Sequence, residues 1–360
     1  MSTTRASSPA QLVGPVRLAV LVGTMLIGVG LPLPAAAAPQ EDAPLAVSWL
    51  ERAAAAPDHV SYHGTQIVTS TGPQGSSSAM LDIVHAASQG SEISLVGSSS
   101  PDAKSFVQRA NQAHSPAVDG GPLALLKATY QLVYRCCTDT IGRAAVLVEA
   151  LRDDQTLAAR FWIDRATGLL LQRQLYGADG RTLVRATVFT DLEIDNGEFL
   201  GHLPPMLPGG SDSMGLSGVD GLRTQGWTCT SELPGSLQLY DVHQDAGAGV
   251  LQFSYSDGLF NVSLFQQRGA LDPKAVAGYA TTGTPGVHVR YGMPSYAVWS
   301  SGGIVYTLVG DVPAEVLARV VDAFPHAVPA RVTPVQRMGT GLARIATWLT
   351  PMSALSWKLG

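Results

Sequence analysis

The side chains able to do chemistry are few and scattered along these 360 residues. His59 and His63 lie four apart, Asp153 and Asp154 adjoin, Asn261-Val262-Ser263 has the pattern of a glycosylation acceptor, and the cysteines are Cys136, Cys137 and Cys229. Two histidines four apart converge on a metal when they share a helix face; these straddle the expected start of a strand. The two aspartates fall between apolar segments, where acids favour chain reversal. The glycosylation pattern lies inside an expected strand, and such matches are frequent by chance. Gly-x-Ser-x-Gly, His-Glu-x-x-His, Gly-x-x-x-x-Gly-Lys and Cys-x-x-Cys are all missing from the sequence, so neither a nucleophile elbow, a zinc helix, a phosphate loop nor a dithiol motif is spelled out. No cofactor, no metal and no enzymatic activity are expected.

What would position any site is a run of four apolar-rich segments, 143–151, 157–164, 169–176 and 182–194, joined by short pieces rich in Asp and Gly. Connections this short leave no room for a crossover helix, so the segments form an antiparallel meander. In the third, Leu169, Leu171, Arg173 and Leu175 share one face while Leu170, Gln172, Gln174 and Tyr176 share the other. Both faces mix apolar with polar residues, which fits a curved sheet covered over part of its concave side better than a flat sheet on a closed core.

The formal charge is −5, with 46% hydrophobic and 14% charged residues. That composition supports ordinary cores and gives no electrostatic case for nucleic acid, whose phosphates call for clustered Lys and Arg. Residues 1–37 read as an export signal: Arg5 and Arg17, then an apolar run over 18–33, then Ala35-Ala36-Ala37 as the cleavage pattern. The alternative is an uncleaved anchor. An exported, periplasmic or outer-face location lets the cysteines oxidise. Cys229 bonded to one of the adjacent pair, as Cys137–Cys229, would tie the two halves together; three free thiols is the other reading, and a bond between neighbours the weaker one.

In chain order, 44–56 reads as an amphipathic helix with Leu45, Trp49 and Ala53 on one side and Pro57 ending it. Segments 60–70 and 80–85 read as strands, 97–121 as a long polar loop, and 122–134 as a helix carrying Leu123, Leu126 and Tyr130. The Pro- and Gly-rich stretch 201–218 reads as a linker. Beyond it, strands are expected over 237–242, 250–256, 260–266, 296–300 and 304–309, with helices starting at Pro273 and Pro313. The expected layout is therefore a curved antiparallel half-barrel over 45–200, a smaller α+β domain over 219–328, and a tail over 329–360. In that tail Met338, Leu342, Ile345 and Leu349, flanked by Arg331, Arg337 and Arg344, mark an amphipathic helix suited to peripheral membrane contact or a partner's groove.

Phe161-Trp162-Ile163-Asp164-Arg165-Ala166-Thr167-Gly168-Leu169-Leu170-Leu171 resembles the W-D-x-x-T-G-L-L-L hairpin of the MucB/RseB-type sigma-E regulatory proteins. Phe189-Thr190-Asp191-Leu192-Glu193-Ile194 is similar to that family's F-T-x-L-E-I strand, and Tyr62-His63-Gly64-Thr65 to its Y-x-G-T. Gly226-Trp227, Leu233-Pro234-Gly235, Tyr255-Ser256-Asp257-Gly258-Leu259 and Val262-Ser263-Leu264-Phe265 resemble its carboxy-terminal domain. The resemblance implies an α+β protein: a half-open antiparallel sheet like that of the LolA, LolB and LppX carriers with helices plugging its concavity, then a smaller α+β domain. It further implies a regulator that binds the extracytoplasmic domain of a membrane anti-sigma factor, shields it from proteolysis, and is released by a lipid-like signal. A lipid or lipoprotein carrier is the alternative. Leu126, Tyr130, Trp162, Tyr255, Phe260 and Phe265 are the residues expected to meet a partner or an acyl ligand. The Ala- and Gly-rich composition points to an actinobacterial member, so the ligand sensed by other members is not carried over, and the adjacent cysteines and long tail lie outside the family pattern.

Overall fold

The computed structural model describes residues 42–73, 75–87, 90–99, 107–110, 121–195, 212–245, 249–292 and 294–326. The export signal, the tail helix, most of the linker and most of the polar loop lie outside the described residues.

A first helix, α1 (Asp42–His59), leads into four strands: β1 (Tyr62–Gly72), β2 (Gly75–Ala86), β3 (Gly90–Ser98) and β4 (Val107–Ala110). After α2 (Pro122–Thr129) come β5 (Gln131–Thr140), β6 (Arg143–Leu151), β7 (Leu157–Asp164), β8 (Leu170–Tyr176) and β9 (Leu183–Ile194). They form one nine-stranded sheet in the order β4-β3-β2-β1-β9-β8-β7-β6-β5, and every pairing is antiparallel. The expected meander is present, strand for strand, as β6 to β9.

Three local features differ from expectation. Helix α1 runs past Pro57 to His59, since a proline in the last turn removes one hydrogen bond without preventing the turn from closing. Its buried face is Ala46, Leu50, Ala53 and Ala56, whereas Leu45 is exposed. Helix α2 stops at Thr129, where the Tyr130 N–H closes on the Leu126 carbonyl, and Gln131-Leu132-Val133-Tyr134 becomes strand because its β-branched and aromatic residues pack into the sheet. Within the expected polar loop, 107–110 extends the sheet as β4.

A second antiparallel nine-stranded sheet follows: β10 (Asp212–Ser213), β11 (Glu232–Leu233), β12 (Leu237–Asp245), β13 (Val250–Ser256), β14 (Asn261–Arg268), β15 (Ala280–Thr281), β16 (His288–Arg290), β17 (Ser295–Ser301) and β18 (Ile304–Gly310). The helix α3 (Val219–Thr224) precedes β11, and α4 (Ala314–Asp322) follows β18. The helix expected from Pro273 is a single short 3-10 turn, which the Asp272 carboxylate caps by accepting the Lys274 N–H. The second sheet thus equals the first in strand number, because 212–213, 232–233, 280–281 and 288–290 add short strands.

Among the described residues neither sheet closes on itself. The first is strongly curled, and one side chain proves it. Ile141, in the turn between β5 and β6, packs into a cluster of Val68, Leu81, Ile83, Ile93 and Phe189 on β1, β2, β3 and β9. Strands β7 and β8 intervene in the sheet order, so the contact requires the sheet to bend back over its own face. The register puts these residues on the same face as Phe161, Arg173, Arg185 and Leu175. That face is the concave one.

The cysteine pairing also differs. Cys136 bonds Cys137, and Cys229 is a partly buried free thiol, so the expected Cys137–Cys229 link is not made. The β5–β6 register skips both residues between Arg135 and Thr138; Cys137, at φ 42, bulges out of the ladder beside its neighbour.

Candidate functional site

Two parts fill the concave face. On the β1–β3 side lies the apolar cluster under Ile141. On the β6–β9 side, α1, α2 and a turn from the second sheet sit together in one core.

The residues that carried the family resemblance now have physical roles. Asp164 ends β7 and accepts hydrogen bonds from Arg143 at 2.9 Å and from the Thr167 hydroxyl and N–H at 2.6 and 3.0 Å. Burial pushes its carboxyl upward, but these donors outweigh it and hold the group below the usual aspartate range. Thr167 in turn accepts the Leu169 N–H. Gly168 has φ +83, and a side chain there would meet Arg52 of α1 at 2.8 Å; Arg52 reaches across to the Ala166 carbonyl at 2.8 Å. The Trp-Asp-Thr-Gly pattern therefore builds a turn that seats α1. Gly64 is needed where β1 bulges against β9, since a Cβ there would lie 2.3 Å from the Asp191 carbonyl oxygen.

Asp257-Gly258-Leu259-Phe260, between β13 and β14, is the plug. Asp257 accepts the N–H groups of Leu259 and Phe260 at 2.8 and 2.7 Å, and Ser256 accepts the Gly258 N–H at 2.9 Å. Gly258, at φ +93, presses on α2 so closely that an added Cβ would lie 2.3 Å from the Leu126 nitrogen. The Tyr130 hydroxyl donates to Asp257 at 2.7 Å, and Arg173 donates to the Leu259 carbonyl. Arg185 of β9 pairs with Asp311 after β18 at 3.2 Å, with 8% and 4% of the two side chains exposed. Asp311 also accepts the Asn261 N–H. Burial pushes the Asp257 carboxyl upward, and Asp311 adds to it; the Tyr130 and backbone donors oppose it. Burial likewise lowers Arg173 to about 10. A buried ionic set of this kind binds two surfaces in one relative pose, because misplacing one member leaves another charge unpaired.

Of the expected contact residues, Leu126, Tyr255 and Phe260 are buried in the shared core, with Tyr130 packed against it. Phe265 is buried in a separate cluster with Val250 and Val309 on the other face of the second sheet. Trp162 is half-buried on the convex face of β7, opposite Gln172. The structure thus brings Leu126, Tyr130, Tyr255 and Phe260 to one junction and leaves Trp162 and Phe265 elsewhere. Reasoning from sequence assigned no site role to Asp257, Gly258, Arg173, Arg185 or Asp311; Asp257 and Gly258 were read only within the stretch 255–259 that carried the resemblance, and Arg173 only as a strand-face residue.

A cleft of about 470 Å3 opens beside the β5–β6 tip, lined by Gly142, Arg143, Ala144, Asp164, Arg165 and Ala166. Among the described residues no three His, Cys, Asp or Glu side chains gather to hold a metal. No helix among them is long and apolar enough to cross a membrane.

Fold and site define an α+β protein in which a half-open, curled antiparallel sheet takes a turn of a second sheet into its concave face. Residues 94–207 match the sequence model of the MucB/RseB N-terminal domain. No curated protein matches the chain. Among solved structures it is similar to MucB, at 22% identity over 77% of this chain and 96% of that one, with a TM-score of 0.44. The Pseudomonas aeruginosa MucA/MucB complex gives 21% identity over 76% and 96%, with a TM-score of 0.40. LprF from Mycobacterium bovis gives 12% over 47% and 98%, with a TM-score of 0.26.

Proposed function

We propose that this chain is an exported regulator of an extracytoplasmic-function sigma factor. It binds the extracytoplasmic part of a membrane anti-sigma factor, shields that part from proteolysis, and releases it on a lipid-like signal. The observation that carries this reading is the match of residues 94–207 to the MucB/RseB amino-terminal domain. The partner is then a counterpart of MucA, the protein named with MucB in the Pseudomonas aeruginosa complex. Export fits the segment 1–37, and peripheral membrane contact fits the basic amphipathic pattern of 329–360. Within this reading the partner touches the rim of the junction, where Tyr130 is half-buried, and the convex face at Trp162, while Leu126, Tyr255 and Phe260 support that surface from inside.

A second reading, a lipid or lipoprotein carrier, is favoured by the apolar lining of Val68, Leu81, Ile83, Ile93 and Phe189 on the concave face. One experiment separates the two: the mature chain is used to capture material from detergent-solubilised envelope, and both proteins and extracted lipids are identified by mass spectrometry. Recovery of a single-span anti-sigma factor supports the regulator. Acyl lipid or lipoprotein without such a partner puts the carrier first.

A further inference from the structure

We propose that Cys136–Cys137 is a thiol–disulfide exchange site whose redox state sets the pose of the β5–β6 tip over the concave face.

The bond adds little to the stability of the fold as a whole. It links residues one apart in sequence, so it closes no loop of chain and removes almost no freedom from the unfolded state, which is how disulfides chiefly stabilise. Both residues are exposed and stand outside the hydrogen-bonded ladder, in the bulge between Arg135 and Thr138. A reductant therefore reaches the sulfurs without opening the core. On the inner side of the bulge, Leu132 is anchored in the shared core, and Arg135 is held by Glu149, which also binds Arg160. Reduction leaves that side in place.

The outer side is different. In the ladder Thr138, Asp139 and Thr140 pair with Ala145, Ala144 and Arg143 of β6, the Thr140 hydroxyl donates to Gln172 of β8 at 3.1 Å, and beyond them the turn reaches Ile141. Ile141 is the residue from this edge that covers the apolar cluster of β1, β2, β3 and β9. Two residues in the short span 137–141, Cys137 at φ 42 and Ile141 at φ 48, occupy the left-handed region that side chains rarely adopt. The ring closed by the bond holds Cys137 there. Once it opens, Cys137 relaxes to the extended region, the bulge straightens, and Ile141 lifts from the cluster.

The co-reactant is a dithiol, free or carried by an exported oxidoreductase. Its thiolate attacks one of the two sulfurs, forming a mixed disulfide as the Cys136–Cys137 bond breaks and the other cysteine leaves as thiolate. The second thiol of the reductant then displaces the attached cysteine. The reductant ends as a disulfide, and the pair gains two electrons and two protons as two thiols.

The test uses the mature chain with dithiothreitol as probe. After mild native treatment and acid quench, thiols are alkylated in denaturant and located by mass spectrometry, and amide exchange is followed in parallel. The expected result is alkylation of Cys229 alone before treatment and of all three cysteines after it. Amide exchange at residues 138–142 should rise about fivefold, as loss of one left-handed non-glycine residue would give, with β6–β9 unchanged. The double variant Cys136→Ser/Cys137→Ser should show the raised exchange without reductant. Free thiols at Cys136 and Cys137 in air-oxidised protein overturn the proposal. So does exchange at 138–142 that is the same in oxidised, reduced and double-variant protein.

Discussion

Replacing Gly258 by alanine tests whether the two sheets are held by the turn that presses on α2. Two costs are readable from the geometry. At φ +93 an alanine is in a backbone region that disfavours any Cβ, worth about 1 kcal/mol. The new Cβ would also stand 2.3 Å from the Leu126 nitrogen and 2.4 Å from its Cα. These are backbone atoms that cannot rotate away, so the turn must withdraw, adding about 1–3 kcal/mol of overpacking, plus about 1 kcal/mol for a weakened Tyr130–Asp257 hydrogen bond. The expected loss is about 3–5 kcal/mol, or a fall in Tm of roughly 4–7 °C for a chain of this size. Gly142→Ala is the control, since Gly142 has φ +72 with nothing within 4 Å of its added Cβ and carries the backbone cost alone, about 1 kcal/mol. Urea and thermal unfolding of both variants measure the difference. If Gly258→Ala costs no more than Gly142→Ala, the close approach of turn and helix does not hold the junction, and the account given above fails.

Three further outcomes are expected. Arg185→Met leaves Asp311 buried and should cost about 3–5 kcal/mol in denaturant unfolding, whereas Arg185→Met/Asp311→Leu should recover most of that loss; equal losses would mean the pair is solvated in practice. Burial raises the Asp257 carboxyl in the folded state, so that state binds the proton more readily than the unfolded chain, and this group's contribution to stability falls as pH rises from the ordinary aspartate range upward. Asp257→Asn should remove that slope in a pH series of Tm while keeping the turn, because an amide oxygen still accepts from Leu259 and Phe260; an unchanged slope would assign the effect to other groups. The Asp164 carboxyl is held low by Arg143 and Thr167, which gives the opposite sign: its stability is present above the ordinary aspartate range and is lost as pH falls. Arg143→Met should therefore flatten the acid limb of the same series.

What could be read from the sequence was whatever local chemistry decides. The strands β6 to β9 were legible because each connection carries Asp or Gly, which favour chain reversal. Asp179, for instance, accepts the Arg181 and Thr182 N–H groups and the Thr182 hydroxyl, which hold its carboxyl down at about 2. Strands β3 and β4 carry Ser, Glu, Gln and Arg among their residues, so their sheet character comes from the neighbour they pair with. Helix α2 was drawn too long because Leu126 and Tyr130 keep helical spacing even though Tyr130 leaves the helix to reach Asp257. The junction was hidden because Gly258 and Leu126 are far apart in sequence, and periodicity does not report that one must be bare for the other. The cysteine pairing was hidden for a different reason: a bond between neighbours depends on a local bulge with Cys137 at φ 42, which no residue type announces.

The pairing of β1 with β9, Tyr62 against Ile194, bears on the order in which the protein assembles. Strands β1 to β4 zip as hairpins in sequence, and so do β5 to β9. Among the described residues the two blocks pair as strands along that single seam, whose halves are separated by all the intervening chain. Closing so long a loop is slow, and until it closes β1 and β9 are both open edges, each a template for a stray strand. A chain that emerges from its amino-terminal end carries the β9-facing edge of β1 unpaired until the ninth strand follows. The seam is the place where a truncated chain would first aggregate.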